Sequence, residues 1–378
     1  MNMIGTASRE YYKRPADERF ASLDALIDHK MREREMSREA VYNLRDLRVV
    51  ADEQTLRLES PKGQATFSHY SFGQLCSTVK APAGYVRSLP PTVAADALNY
   101  GLHDAAPFGT RANVLIKDDP TQPFPVARAC TSDTYGRVWD AELAGTIRRH
   151  FGDGRPSAGG GTWMQPPVWP NADGTPGKPN GSNAGDRDSF ILRCDGGSIV
   201  TDPSAGQGEG SQLYRAIMVR NSEVGHCSIS IDCVLYRYIC GNHMLWGAVM
   251  DRQFRRRHVG KRAVDDTMRE LLNLAHRFSA RSASTDQALI QTLIDHEIAS
   301  TKDAVIDELR ALGMNQTEAA AAYATTEQTE RSSPRSYWGL AQGITRMSQE
   351  DGYEDTRLRL DQIAASIISK GAKQYATV

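Results

Sequence analysis

The sequence predicts an α+β fold, with a mixed or antiparallel sheet core and a C-terminal helical layer. Two observations lead there. Short segments with period-two alternation, separated by turn residues, recur between Leu47 and Leu235, as antiparallel strands require. Beyond Lys261 the apolar residues fall only at helical spacing. With 378 residues, 40% hydrophobic and 24% charged, the chain has the composition of a globular protein and the length for more than one core.

Taken in order, Phe20, Leu23, Ile27 and Met31 recur at helical spacing up to Glu35. Segments 47–50, 55–59 and, after a Pro61-Lys62-Gly63 turn, 64–67 alternate as a small antiparallel meander. Ser71 is placed to cap a helix with Phe72, Leu75, Cys76 and Val79 inward. Pro82 sits in the first turn of another helix, holding Tyr85, Val86 and Leu89, which Pro90 and Pro91 end. Segments 113–117 and 126–131 are further strands, 133–136 is a turn, and Asp140 is placed to cap a helix burying Leu143, Ile147 and Phe151.

The composition then changes abruptly. Residues 152–188 contain 9 glycines and 6 prolines in 37 positions, too few large aliphatics to fill a core, so a long loop or insertion is expected. Trp163 and Trp169 are expected to pin it to the body; a base-stacking platform or partner-binding lid is the sharper alternative. Strand character resumes at 189–194, and 202–211 is Gly-rich. Its GQGEGS lacks the lysine of a phosphate-binding loop, so no nucleotide site is expected there.

In the last third, Val264 to Phe278, Leu289 to Ile298 and Val305 to Leu312 mark three helices, the third ended by Gly313. Thr317 is placed to cap the alanine-rich stretch, and two more helices follow, the last ahead of Gly371. No heptads are sustained, which excludes an extended coiled coil. The expected division is an N-terminal α+β part (1–151), the insertion (152–188), a central β part (189–262) and a helical part (263–378).

Charge and cysteine usage exclude some classes of function. Lys plus Arg number 45 against 46 for Asp plus Glu, so any affinity for polyanions must be local. No apolar run approaches a membrane span, and the opening residues lack the apolar centre of a secretory signal. The six cysteines are thinly spread and read as reduced thiols, so a cytoplasmic protein without membrane contact is expected.

The central stretch is the richest in chemistry. From Cys227 the odd positions are Cys227, Ile229, Ile231, Cys233 and Leu235, a period-two face that buries both cysteines as small hydrophobes. Residues 214–220 can pair with it across Asn221 to Gly225. Cys240 and His243 fall two residues apart like half a zinc site, with no second pair to complete four ligands; no metal or cofactor is expected. RQFRRRHVGKR then places Arg252, Arg255, Arg256, Arg257, Lys261 and Arg262 with His258 in eleven residues, with no acid between Asp251 and Asp265. Phosphate oxygens are the natural partners of such a run, and Tyr236, Tyr238 and Phe254 stand close enough in sequence to stack on unpaired bases.

NSEVG (221–225), LYRYICGN (235–242) and RRHVG (256–260) together resemble the phage/plasmid-like protein family catalogued as a domain of unknown function, number 932. Supporting similarity lies in 67–90, in SDTYGRVWDAEL (132–143) and in SYWGLAQGITRMSQ (336–349). His243 departs from the small or apolar residue expected after Gly241 and Asn242. The resemblance implies a role in DNA metabolism, recombination or dealing with a host, and transfers no catalytic residues. It also implies that NSEVG is a hairpin turn and that Arg237 and Asn242 satisfy buried backbone groups.

The resulting expectation is a mobile-element nucleic-acid-binding protein that binds or anneals single-stranded DNA in recombination or replication, as a homo-oligomer. The alternatives are an enzyme using Cys240, His243, His258 and acids such as Asp232 or Asp251, and a module that binds a host protein to counter a defence.

Overall fold

The structure, a computed structural model, describes residues 14–53, 55–152, 163–164, 181–202, 212–239, 242–246, 254–256, 258, 263–280, 282–350 and 354–375. Its architecture is α+β, as expected: two sheets, with the C-terminal helices packed on the larger.

Helix α1 (Leu23–Glu35) starts at Ser22, whose side chain accepts a bond from Ala25 N. Strands β1 (Ser37–Asn43), β2 (Arg48–Ala51), β3 (Leu56–Ser60), β4 (Gly63–Phe67), β5 (Arg111–Lys117) and β6 (Val126–Ser132) form a six-stranded sheet in the order β1-β5-β6-β4-β3-β2. All its pairs are antiparallel except β4 with β6, so the expected β2-β3-β4 meander is present but joins the rest of the sheet through a parallel contact. The sequence pattern did not reveal β1. In SREAVYN only Tyr42 is buried, because an outer strand needs little apolar pattern to hold its register.

Helices α2 (His69–Thr78), α3 (Ala83–Ser88) and α4 (Pro91–Tyr100) cover one face of this sheet. The α2 cap is Ser68, not Ser71: Ser68 Oγ accepts from Ser71 N while Ser71 Oγ accepts from Ser68 N, so Ser71 closes a capping box from inside the helix. Pro91 begins α4 instead of ending α3. At the first helical position its missing N–H leaves nothing unsatisfied. Leu47, Val49, Leu58, Phe72, Leu75, Leu98 and Val114 form the core between sheet and helices.

Helix α5 (Asp140–Phe151) leads to the larger sheet, made of β7 (Trp163–Met164), β8 (Ser182–Ala184), β9 (Ser189–Thr201), β10 (Gln212–Asn221), β11 (Ile229–Ile239), β12 (Asn242–Trp246) and β13 (Phe254–Arg256). Every pair in it is antiparallel, with β12 and β13 both on the outer side of β11 and β7 and β8 both beside β9. Within the Gly/Pro-rich stretch Trp163 pairs opposite Asp195 and packs edge-on to Phe151 at 5.1 Å, which ties that part of the stretch to the body. Trp169 lies outside the described residues.

Ile191, Ile217, Val219, Ile229, Ile231 and Cys233 line one face of this sheet and share a core with α1, α5 and the helices α6 (Ala263–Ser279), α7 (Ala283–Asp295), α8 (Lys302–Ala311), α9 (Gln316–Thr329), α10 (Tyr337–Glu350) and α11 (Glu354–Tyr375). Helices α1 and α5 therefore precede the Gly/Pro-rich stretch in sequence and pack in the core that follows it. Asn315 caps α9, accepting from Glu318 N in a capping box, and Thr317 lies inside the helix. Helix α11 runs through Gly371: a Cβ there would stand 2.6 Å from Tyr337 Cγ, so the glycine permits close packing and does not stop the helix. Gly313, at φ +101, follows α8 as expected.

Candidate functional site

The NSEVG segment joins the two sheets, and each of its residues has a defined task. Asn221, the last residue of β10, donates from Nδ2 to Val138 O at 2.8 Å and to Asp140 Oδ1 at 2.7 Å. Ser222 Oγ donates to Arg187 O at 2.7 Å and accepts from His226 N at 2.9 Å, which closes the turn. Glu223 is 3% exposed: Oε1 accepts from Asp140 N at 2.9 Å, in the first turn of α5, and Oε2 accepts from Arg128 Nη1 at 3.1 Å. Val224 packs on Leu115 and Ala129 of the smaller sheet, while Gln74 Nε2 donates to its carbonyl at 2.6 Å. Gly225 has φ +78, a conformation that glycine adopts without strain.

Around Glu223 lies a buried charge network. Lys30 Nζ donates to Glu33 Oε2 at 2.8 Å and to Gly185 O at 3.1 Å, and stands 3.7 Å from Asp140 Oδ2. Lys117 Nζ donates to the other Glu33 oxygen at 2.8 Å. Ser189 Oγ donates to Asp140 Oδ1 at 2.5 Å. Beside it Asp188 takes Arg14 at 3.1 Å, together with Arg187 and Arg220. These groups come from α1, both sheets and α5, so charges that would be costly alone are enclosed together.

Burial alone would push the Glu33 carboxyl up; Lys30, Arg128 and Lys117 overcome it and hold Glu33 well below the usual carboxylate range. Asp140 goes the other way. Burial, reinforced by the charge of Glu223, pushes its carboxyl up to about 6. Between the ordinary carboxylate value and about 6 the folded protein therefore keeps a proton on Asp140 that the unfolded chain releases, so this group costs stability as pH rises through that window. Urea unfolding from pH 7 to pH 5 is expected to show the contribution as a gain on acidification. Below the ordinary carboxylate range, protonation of Glu33 and Asp188, both held low, is expected to reverse it.

The basic run is placed in part. Its centre is β13, where Phe254, Arg255 and Arg256 stand opposite Ile231, Ser230 and Ile229 of β11. Tyr236 stands opposite Tyr214 on one side and Leu245 on the other, and Tyr238 opposite His243. Arg252, Arg257, Lys261, Arg262 and Cys240 lie outside the described residues. His258 corrects an expectation: instead of a surface phosphate contact, it is 6% exposed, stacked on Tyr135 at 5.0 Å, with Nδ1 3.2 Å from Gly136 O. Burial also lowers its pKa, which disfavours the imidazolium a phosphate would want. Among the described residues no His, Cys, Asp and Glu side chains are grouped as a metal ion would require.

Sequence reasoning missed Lys30, Glu33, Arg128, Asp140 and Glu223 as a unit. The one available signal was NSEVG itself, a polar segment at the end of a strong strand, read there as a plain turn.

Fold and site together define an α+β protein whose two sheets are locked by a strand-end plug in a buried ionic network. Residues 177–364 match the model of a family described as Domain of unknown function (DUF932). The matched interval contains NSEVG, the basic run and 336–349, whereas 67–90 and 132–143 lie outside it. No curated protein and no solved structure matches the chain. Among the described residues no helix is long and apolar enough to cross a membrane.

Proposed function

We propose that this chain binds nucleic acid, single-stranded DNA first, and that it serves a phage, plasmid or related mobile element in recombination or replication. The observation that supports this most is the place of β13. Among the described residues, Arg255 and Arg256 stand in a strand that pairs with β11 at the rim of the larger sheet. An outer strand offers a partner an unpaired row of backbone groups beside its side chains. Arg252, Arg255, Arg256, Arg257, Lys261 and Arg262 are the phosphate contacts in this reading. Tyr236, Tyr238 and Phe254 are the stacking residues in this reading. His258 is left out as an internal anchor. The mobile-element part rests on the likeness of the central motifs to the phage/plasmid-like family.

The test is fluorescence anisotropy of a labelled single strand against salt. Affinity is expected to fall with a log–log slope of about 0.7 for each phosphate neutralised. The triple variant Arg255→Glu, Arg256→Glu, Arg257→Glu is expected to reduce that slope by about 2 and to weaken binding more than about tenfold, with unchanged unfolding. Equal binding by a folded triple variant would take the basic run out of the interface.

A further inference from the structure

Strands β3 and β4 and helices α2, α3 and α4 line a cavity of about 540 Å³ in the smaller-sheet part of the chain. That lies within the range of roughly 300–1,000 Å³ occupied by small-molecule sites. Its walls are Leu56, Phe67, Phe72, Val86, Leu89 and Ala94, with the Phe67 and Phe72 rings meeting edge to face at 5.6 Å. Phe72, Val86 and Ala94 are buried, whereas Thr55, His69 and Arg87 are exposed and mark the mouth.

The polar groups of this cavity favour one sign of charge. No Asp or Glu stands among the lining residues, and Arg87 does. Among the described residues Arg87 makes no ion pair: its Nη2 donates to His69 O at 2.9 Å, and its guanidinium carbon lies 4.9 Å from the Phe72 ring centroid. These contacts steady the guanidinium at the mouth without consuming its charge. Helix α2 begins at His69 in the same mouth, and its N-terminal end adds to the preference for an anion.

The walls favour an apolar body over a nucleobase. Thr55 Oγ1 donates to Asp52 at 3.0 Å, Thr66 Oγ1 to Pro125 O at 3.2 Å and Ser68 Oγ to Arg128 O at 2.9 Å. With those protons committed, the hydroxyls have none for the ring acceptors of a base, and an acceptor buried unpaired is costly. An acyl or aryl body carries no such groups. We infer that the cavity binds a small amphiphilic carboxylate, its acyl or aryl body on Phe67, Phe72 and Leu89 and its head at Arg87. The inference is independent of the nucleic-acid reading, since no residue of the basic run lines this cavity.

Equilibrium dialysis with octanoate, 2-naphthoate, the alcohol counterpart of each and thymidine monophosphate tests it. Wild-type protein is expected to bind one carboxylate at a single site about tenfold more tightly than its alcohol. Whether that carboxylate is octanoate or 2-naphthoate tells an acyl from an aryl body. Arg87→Met, at an exposed position, keeps an apolar stem over Phe72 and removes the charge, so it is expected to bring the carboxylate down to the level of the alcohol. Leu89→Trp fills the cavity and is expected to abolish binding of both. No saturable binding of any probe, or tighter binding of thymidine monophosphate than of either carboxylate, overturns the inference. So does a preference for carboxylate that persists in Arg87→Met, or binding that is unchanged in a folded Leu89→Trp variant.

Discussion

Glu223→Ala is expected to lower the unfolding free energy by about 3–5 kcal/mol, the usual cost of removing one partner from a buried charge pair. Three things are lost at once. Arg128, whose Nε and Nη2 make no hydrogen bond, loses the one from Nη1; the backbone N–H of Asp140 loses its acceptor; and the joint between the sheets loses the Arg128–Glu223 ion pair. Glu223→Gln is expected to cost less, because an amide oxygen can still accept from Asp140 N. Both variants remove the negative charge that helps push Asp140 up, so the rise in stability on acidification from pH 7 to pH 5 is expected to shrink in each. Urea unfolding at the two pH values measures both effects. A loss below about 1 kcal/mol for Glu223→Ala would mean that the plug does not bear the joint between the sheets.

Asp286→Ala is expected to cost about as much, about 3–5 kcal/mol, at a different junction. Arg215 of β10 is 2% exposed and donates from Nε at 2.9 Å and from Nη2 at 2.7 Å to Asp286 Oδ2 of α7. The carboxylate is fully buried, so its removal takes from the buried Arg215 guanidinium the two bonds made by Nε and Nη2. Replacing both partners, Arg215→Leu with Asp286→Leu, is expected to recover most of the loss, since the desolvation of two charges disappears with their attraction. Thermal or urea unfolding of the two variants decides it. A double variant as unstable as the single one would show that neighbouring polar groups such as Arg193 and Asp195, rather than the pair itself, set the energy.

The elements with strong periodicity were legible in the amino-acid sequence: α1, β2 to β6, β9 to β11 and the C-terminal helices. Those hidden or displaced have identifiable reasons. Strand β1 is an outer strand with one buried residue, α4 begins on a proline where the sequence predicts a stop, and α11 passes a glycine where the sequence predicts an end. For β1 and for Gly371 the deciding contact comes from another element: β5 for β1, and Tyr337 with Leu293 for Gly371.

The candidate site divides along the same line. By itself the sequence determined the fold class, the pairing of β10 with β11 across NSEVG, the concentration of arginine at 252–262 and the match of 177–364 to a family of unknown function. Those are properties of spacing and composition along one stretch of chain. Only the tertiary structure decided that NSEVG is a plug between sheets, that His258 faces inward, and that Phe72 and Arg87 border one cavity. Lys30, Arg128, Asp140 and Glu223 are far apart in sequence. Whether such groups are solvated or enclosed depends on which surfaces close over them, and a local periodicity carries no record of that.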